Sequence, residues 1–226
     1  MTNNTITDNH ASSGAGIYLY ADGDVSSTKL TATLANNILA INQATSQGGA
    51  IFAVTGGTKG EITLKLTNNT ISNNEAGLKA GGISLASFDT AKITAPLKNN
   101  IVWGNTIDIS TEQYNSSTLS VTADHSIIGE VDVSAGGTYT NGGGNLNVNP
   151  LLKSNCHLIG ASPAKDKGIC GLKIALLEGV IYIRIAPYDD IDGDLRPGWG
   201  MTSGCDIGAD EYRFPWIMFN PAFTKH

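Results

Sequence analysis

The chain has 226 residues, long enough to bury a substantial core, so its stability requires neither a structural metal nor another cofactor. Only 15% of it is charged, with a formal net charge of -6 and no Arg before Arg184. The Lys residues of the first two thirds (Lys29, Lys59, Lys65, Lys79, Lys92, Lys98) are scattered among acids, which excludes a basic nucleic-acid footprint.

Met1 runs directly into Thr2-Asn3-Asn4-Thr5-Ile6, with no charged segment followed by an apolar one, and this reads as a fragment lacking its natural N-terminus. The same marker returns as Asn36-Asn37-Ile38-Leu39, Asn68-Asn69-Thr70-Ile71 and Asn99-Asn100-Ile101-Val102, at spacings of 33, 32 and 31 residues. A second marker keeps phase with it: Gly14-Ala15-Gly16-Ile17, Gly48-Gly49-Ala50-Ile51 and Gly81-Gly82-Ile83. A degenerate fifth turn is expected from Asp124-His125-Ser126-Ile127-Ile128-Gly129, with His125 in the place of Asn100.

Short alternating runs lie between the markers, at Ile17–Tyr20, Ile51–Val54, Glu61–Leu66 and Ile83–Ala86; they are rich in β-branched and aromatic residues and bounded by Gly or Asn. No 3.6-residue apolar stripe precedes Asn149. Strands recurring at this period without helices predict an all-β fold, a right-handed parallel β-helix whose turns stack about 4.8 Å apart. The Asn residues then stack at a corner, where amides hydrogen-bond along the column and Asn tolerates a left-handed backbone. Residues 1–148 are assigned to these coils, 149–212 to a small end domain that closes them, and 213–226 to an apolar tail too short to span a bilayer.

Residues 68–84, from Asn68-Asn69-Thr70-Ile71 to Gly81-Gly82-Ile83-Ser84, resemble the repeats of bacterial surface β-helix proteins, including polymorphic outer-membrane proteins. The resemblance covers residues 1–130 and implies a solenoid of the pectate-lyase type and a secreted or cell-surface setting. The end segment carries Ala161-Ser162-Pro163-Ala164-Lys165-Asp166-Lys167-Gly168, Asp192-Gly193-Asp194-Leu195-Arg196-Pro197 and Cys205-Asp206-Ile207-Gly208-Ala209-Asp210-Glu211. This ordered set resembles the choice-of-anchor C-terminal domain, whose members read GSPAIDxG, DxDGxxR and CDIGAxE; Lys165 departs from the pattern by replacing Ile. An exported chain with three Cys implies a disulfide. The resemblance favours Cys170 with Cys205, and Cys156 with Cys170 is the rival pairing. The favoured bridge would add about 3 to 4 kcal/mol, hold the Leu176–Ile185 run as a strand or hairpin against the last coil, and leave the Asp189–Asp194 loop exposed. Non-reducing peptide mapping should recover the linked pair.

Asp190, Asp192 and Asp194 gather carboxylates about Gly193 and are candidate Ca²⁺ ligands, although an Asp-stabilised turn accounts for the same residues. Asp108, Asp124, His125 and Asp132, with Glu112 nearby, form the local titratable cluster a polysaccharide hydrolase would use; the lack of Arg in the coils disfavours a lyase. Among the aromatics Tyr18, Tyr20, Phe52, Phe88, Trp103 and Tyr114, the first two share one face of a strand. If Ile17 and Leu19 face the core, Tyr18 and Tyr20 face solvent and can stack on sugar rings, whereas Phe52 and Trp103 read as core. The expectation is therefore a monomeric extracellular β-helix contacting polysaccharide. A polysaccharide-degrading enzyme and an inert stalk are the alternatives.

Overall fold

The computed structural model describes residues 1–24, 26–176, 179–197 and 203–213. Its first coil contains β1 (Thr5–Thr7), β2 (His10–Ser13), β3 (Ile17–Asp22) and β4 (Thr28–Ala35). The second repeats the plan with β5 (Ile38–Ala40), β6 (Gln43–Gln47), β7 (Ile51–Gly56) and β8 (Gly60–Thr67), and the third with β9 (Thr70–Ser72), β10 (Glu75–Ala76), β11 (Ile83–Ser87) and β12 (Lys92–Lys98). The fourth has β13 (Ile101–Trp103), β14 (Ile109–Gln113) and β15 (Thr118–Asp124), and the fifth β16 (Ile127–Ile128), β17 (Val131–Ala135) and β18 (Thr138–Gly143). Each coil adds parallel strands to sheet I (β1-β5-β9-β13-β16), sheet III (β3-β7-β11-β14-β17) and sheet IV (β4-β8-β12-β15-β18). Sheet II (β2-β6-β10) stops after three coils. The described residues contain no helix, and the architecture is that of a parallel β-helix.

Alternation sorts the side chains. Ile51 and Ala53, Ile83 and Leu85, and Ile109 project inward from sheet III, while Ile62, Leu64 and Leu66, Ile93, Ala95 and Leu97, and Leu119, Val121 and Ala123 do so from sheet IV. Leu39, Ile71, Val102 and Ile128 close the interior from sheet I. Each fully buried Leu or Ile contributes about 1.5 to 3 kcal/mol, and the like-on-like stacking of coils lets one residue type recur in a column.

The paired Asn residues divide two tasks. Asn3, Asn36, Asn68 and Asn99 take φ of 53 to 55°, the left-handed corner that Asn tolerates. The next residues form a ladder: Asn4 Nδ2 donates to Asn37 Oδ1, Asn37 to Asn69 and Asn69 to Asn100, at 2.9 to 3.0 Å. The fifth coil corrects the sequence register by one residue. His125 adopts the left-handed corner at φ 46° in line with Asn99, and Ser126 Oγ takes the ladder place by accepting the Asn100 N–H at 3.0 Å. Ladder spacing drops to 26 and then 19 residues because coils four and five contribute no strand to sheet II. The Gly marker also has a steric cause. A Cβ on Gly16 would sit 2.6 Å from the Ala50 carbonyl oxygen of the next coil, so only Gly permits that spacing.

The described part of the end segment returns along the outside of sheet I and not over the last coil. Ile101 and Ile127 pack against Leu158, Ala164 and Ile207, and Ile38 and Ala40 against Cys156 and Ala209. Both faces of sheet I are therefore buried, which explains the unalternating pairs Ile38-Leu39, Ile101-Val102 and Ile127-Ile128. Left-handed corner Asn residues secure it: Asn68 Nδ2 donates to the Asp206 and Gly208 carbonyls, and Asn99 exchanges two hydrogen bonds with the Ile169 backbone.

Cys170 and Cys205 are disulfide-bonded with Cα atoms 5.3 Å apart, beside the antiparallel pair β19 (Gly168–Ile169) and β22 (Ser203–Cys205), and Cys156 is free and buried. The run between them forms the hairpin of β20 (Gly171–Leu176) and β21 (Gly179–Arg184). It is not sequestered against the last coil: Leu172, Ile174, Leu176, Ile181 and Ile183, all on one face by register, are 38 to 54% exposed. Nor is the following loop wholly exposed, since Asp190 is buried. Lys165 has its Nζ 4.5 Å from the centre of the Tyr212 ring and donates to the Gly160 carbonyl, a cation–π contact that an Ile at this position could not make.

Candidate functional site

Sheet III presents the outer face of β3 to solvent, whereas the outward Ser84 and Ala86 of β11 and Ser110 and Glu112 of β14 are buried. Tyr18 and Tyr20 stand out from β3 at 52 and 55% exposure, because Ile17 and Leu19 between them pack on the core. In register with Tyr18 on the next strand is Phe52, its ring 5.6 Å away. Phe52 is therefore an outer-face residue beneath its neighbours and not a core residue. Toward sheet IV, Phe88 and Tyr114 stack in parallel with centroids 4.7 Å apart, both partly exposed. Lys79 pairs with Glu112 at 3.3 Å, and Glu112 also accepts the Tyr114 hydroxyl at 3.1 Å. Sheet II, which precedes sheet III in each complete coil, carries a groove of about 300 Å³ lined by His10, Gln43, Thr45, Glu75 and Thr106. Trp103 is absent from this surface. It lies beside Ile101 under the end segment, and its ring helps line a cleft with Asn73, Asn149 and Lys153.

The titratable cluster divides between two corners. Asp108 precedes β14 and is buried; its Oδ1 accepts the backbone N–H and side-chain amide of Asn105, and its Oδ2 accepts the Glu130 N–H. Burial pushes its carboxyl up while these donors pull it down. The residue terminates a second ladder, Asn9, Asn42, Asn74 and Asn105, linked through side-chain amides at 2.8 to 2.9 Å. Asp132, on the adjacent strand β17, is held below the ordinary range by the Ser134 hydroxyl and then by the Ser134 N–H that it accepts. Asp124 and His125 lie at the corner between sheets IV and I, with Asp124 Oδ1 2.6 Å from His125 Nδ1. The structure thus joins Asp124 to His125, and places Asp108 and Asp132 at the start of sheet III.

The acids about Gly193 also have separate employments. Asp190 Oδ1 accepts the Asp192 and Asp194 N–H groups, and its Oδ2 accepts that of Glu211. Asp194 faces Arg213 at 3.6 Å. Asp192 reaches His157 instead, with Oδ2 3.0 Å from Nε2, and Asp210 lies close to both. Burial opposes charging of His157, but the Asn155 carbonyl, Asp192 and Asp210 outweigh it and the net shift is upward.

Arg196 holds this region together from a fully buried position. It donates to the carbonyls of Asp206, Gly208 and Ala209, to Glu211 Oε2 at 2.7 Å and to Asn36 Oδ1 in the second coil. Burial pushes Glu211 up to about 7 and Asp206 to about 6, against the pull of Arg196 and of backbone donors. Sequence reading overlooked the second Asn ladder, His157, Arg196 and Asp210. The ladder was detectable, since an Asn recurs five residues after each of Asn4, Asn37, Asn69 and Asn100; the other three are brought together only by folding.

Comparison of the chain with protein-family models, with curated proteins and with solved structures finds no match.

Proposed function

We propose that the chain belongs to an extracellular or cell-surface right-handed β-helix protein that contacts polysaccharide through the outer face of sheet III. The observation that carries this reading is the pair of outward rings Tyr18 and Tyr20, backed by the buried Phe52; the Phe88–Tyr114 stack is a second, separate exposed aromatic pair. Such rings offer flat apolar area with a polar edge, suited to the C–H face of a pyranose ring and its hydroxyls, and their rigidity limits the entropy lost on contact. The groove along sheet II adds His10, Gln43, Thr45 and Glu75 as hydrogen-bonding groups among its Ala residues. Export fits the disulfide and the absence, among the described residues, of a helix long and apolar enough to cross a membrane. It also fits the resemblance of the repeats to those of polymorphic outer-membrane proteins and of the end segment to choice-of-anchor domains.

Binding to insoluble polysaccharides and to a glycan array tests the reading. Replacing both tyrosines (Tyr18→Ala with Tyr20→Ala) should weaken retention by roughly tenfold or more without changing the far-ultraviolet circular dichroism, since both side chains are half exposed. Retention of the folded wild-type chain on no glycan would favour the stalk.

A further inference from the structure

We propose that His157, Asp192 and Asp210 form a binding site for a divalent transition-metal ion of the zinc class. One ligand atom from each lies within 4.8 Å of the others. They come from three separate pieces of the end segment: the turn closed by the Lys153 N–H to His157 carbonyl bond, the Asp189–Leu195 turn, and the closing stretch around Asp210.

The hydrogen bonding around the ligands is that of a metal site. His157 Nδ1 lies 3.0 Å from the Asn155 carbonyl oxygen, which can only accept, so the Nδ1 proton is fixed and Nε2 is the free ring nitrogen. That nitrogen faces Asp192 Oδ2 at 3.0 Å. With its ring protonated, His157 donates Nε2–H to this carboxylate, and a divalent ion would take the place of that proton between the two. Asp210 has 7% of its surface exposed, and one of its oxygens, Oδ2, is oriented by the Leu158 N–H at 2.8 Å. Its other oxygen accepts no hydrogen bond among the described residues. A carboxylate with one oxygen oriented by a backbone donor and the other left open, beside an oriented imidazole, offers a cation two donor atoms.

One nitrogen and two carboxylate oxygens suit Zn²⁺ and its neighbours, at about 2.0 to 2.2 Å each, with an open position for water. Ca²⁺ prefers oxygen ligands alone and in larger number. Asp190, the residue that made a Ca²⁺ loop plausible on sequence grounds, already commits both oxygens to backbone donors. Asp192 sits on a turn with its side chain half exposed and can rotate to complete the sphere. An ion here would staple three segments of a region that contains little sheet of its own.

The test titrates Zn²⁺ into the chelator-treated chain against a chromophoric chelator, with thermal unfolding in parallel. One equivalent should bind and raise Tm, while Ca²⁺ at the same concentration does not. His157→Gln and Asp192→Asn should each weaken binding by at least about tenfold and abolish the Tm shift, whereas Asp194→Asn should leave both unchanged. Asp192 is exposed enough that its variant will fold. Failure to retain Zn²⁺, or wild-type affinity in both His157→Gln and Asp192→Asn, would overturn the proposal and leave an imidazolium–carboxylate pair.

Discussion

Replacing Asn69 with Ala is expected to destabilise the chain by about 3 to 5 kcal/mol, in the far tail of single substitutions. Its Oδ1 accepts both the backbone and side-chain N–H of Asn37, and its Nδ2 donates to Asn100 Oδ1 and to the carbonyls of Leu34 and Thr67. All of this takes place away from water, since Asn37, Asn69 and Asn100 are fully buried. Truncation leaves the Asn37 donors and two carbonyls with a lost partner each, and a buried group without its hydrogen bond costs its full desolvation. Asn69→Asp should be no milder, because a carboxylate would face three acceptors. Asn4→Ala, at the exposed end of the same ladder, should cost about 1 kcal/mol or less. Urea unfolding midpoints for the three variants check the ordering, and equal losses at Asn4 and Asn69 would contradict it.

Arg196→Ala should have a comparable effect through a different route, the attachment of the end segment to the coils. Five acceptors converge on this guanidinium, one of them Asn36 Oδ1 in the second coil. Removing one partner of a buried ion pair costs about 3 to 5 kcal/mol, because Glu211, already pushed up to about 7, loses its counter-ion and three buried carbonyls lose their donor. The loss should be local. The Gly208 N–H, which donates to the Asn99 carbonyl, and the Ala209 N–H, which donates to Thr70 Oγ1, should lose protection from hydrogen exchange. Amides in β8 and β12 should keep theirs. Arg196→Lys should rescue little, since a single ammonium cannot span acceptors that a planar fork reaches on two sides. Unchanged exchange at Gly208 and Ala209 would place the attachment elsewhere.

These predictions turn on features of unequal legibility. The coil was readable because stacking places chemically similar residues at one height in every turn, so its geometry is written as a period: the Asn pairs, the Gly marker and the inward Ile and Leu columns all recur. The same physics made Tyr18 and Tyr20 readable, as the period of two alone decides their side of the strand. The fifth coil lies one residue from its expected register because Ser126 replaces the ladder Asn with a hydroxyl, while His125 occupies the left-handed corner. Phe52 was misjudged because an outer-face ring can be buried by its neighbours, a fact that depends on what lies across the sheet.

The end segment marks the boundary between what sequence and tertiary structure decided. Sequence by itself determined an all-β coil, its four repeat markers, the strand faces and, through family resemblance, the Cys170–Cys205 pairing. It did so because those properties arise from local backbone preference and from periodic burial. Only the tertiary structure decided that the end segment lies along sheet I instead of over the last coil, that Asp108 ends a ladder, and that Arg196 reaches Asn36. It likewise decided that the apolar hairpin stands clear and that His157 meets Asp192 and Asp210. Each of these joins aperiodic residues from distant parts of the chain, and the energy that selects them comes from burying both faces of sheet I and from pairing charges in its shelter, neither of which has a period in the sequence.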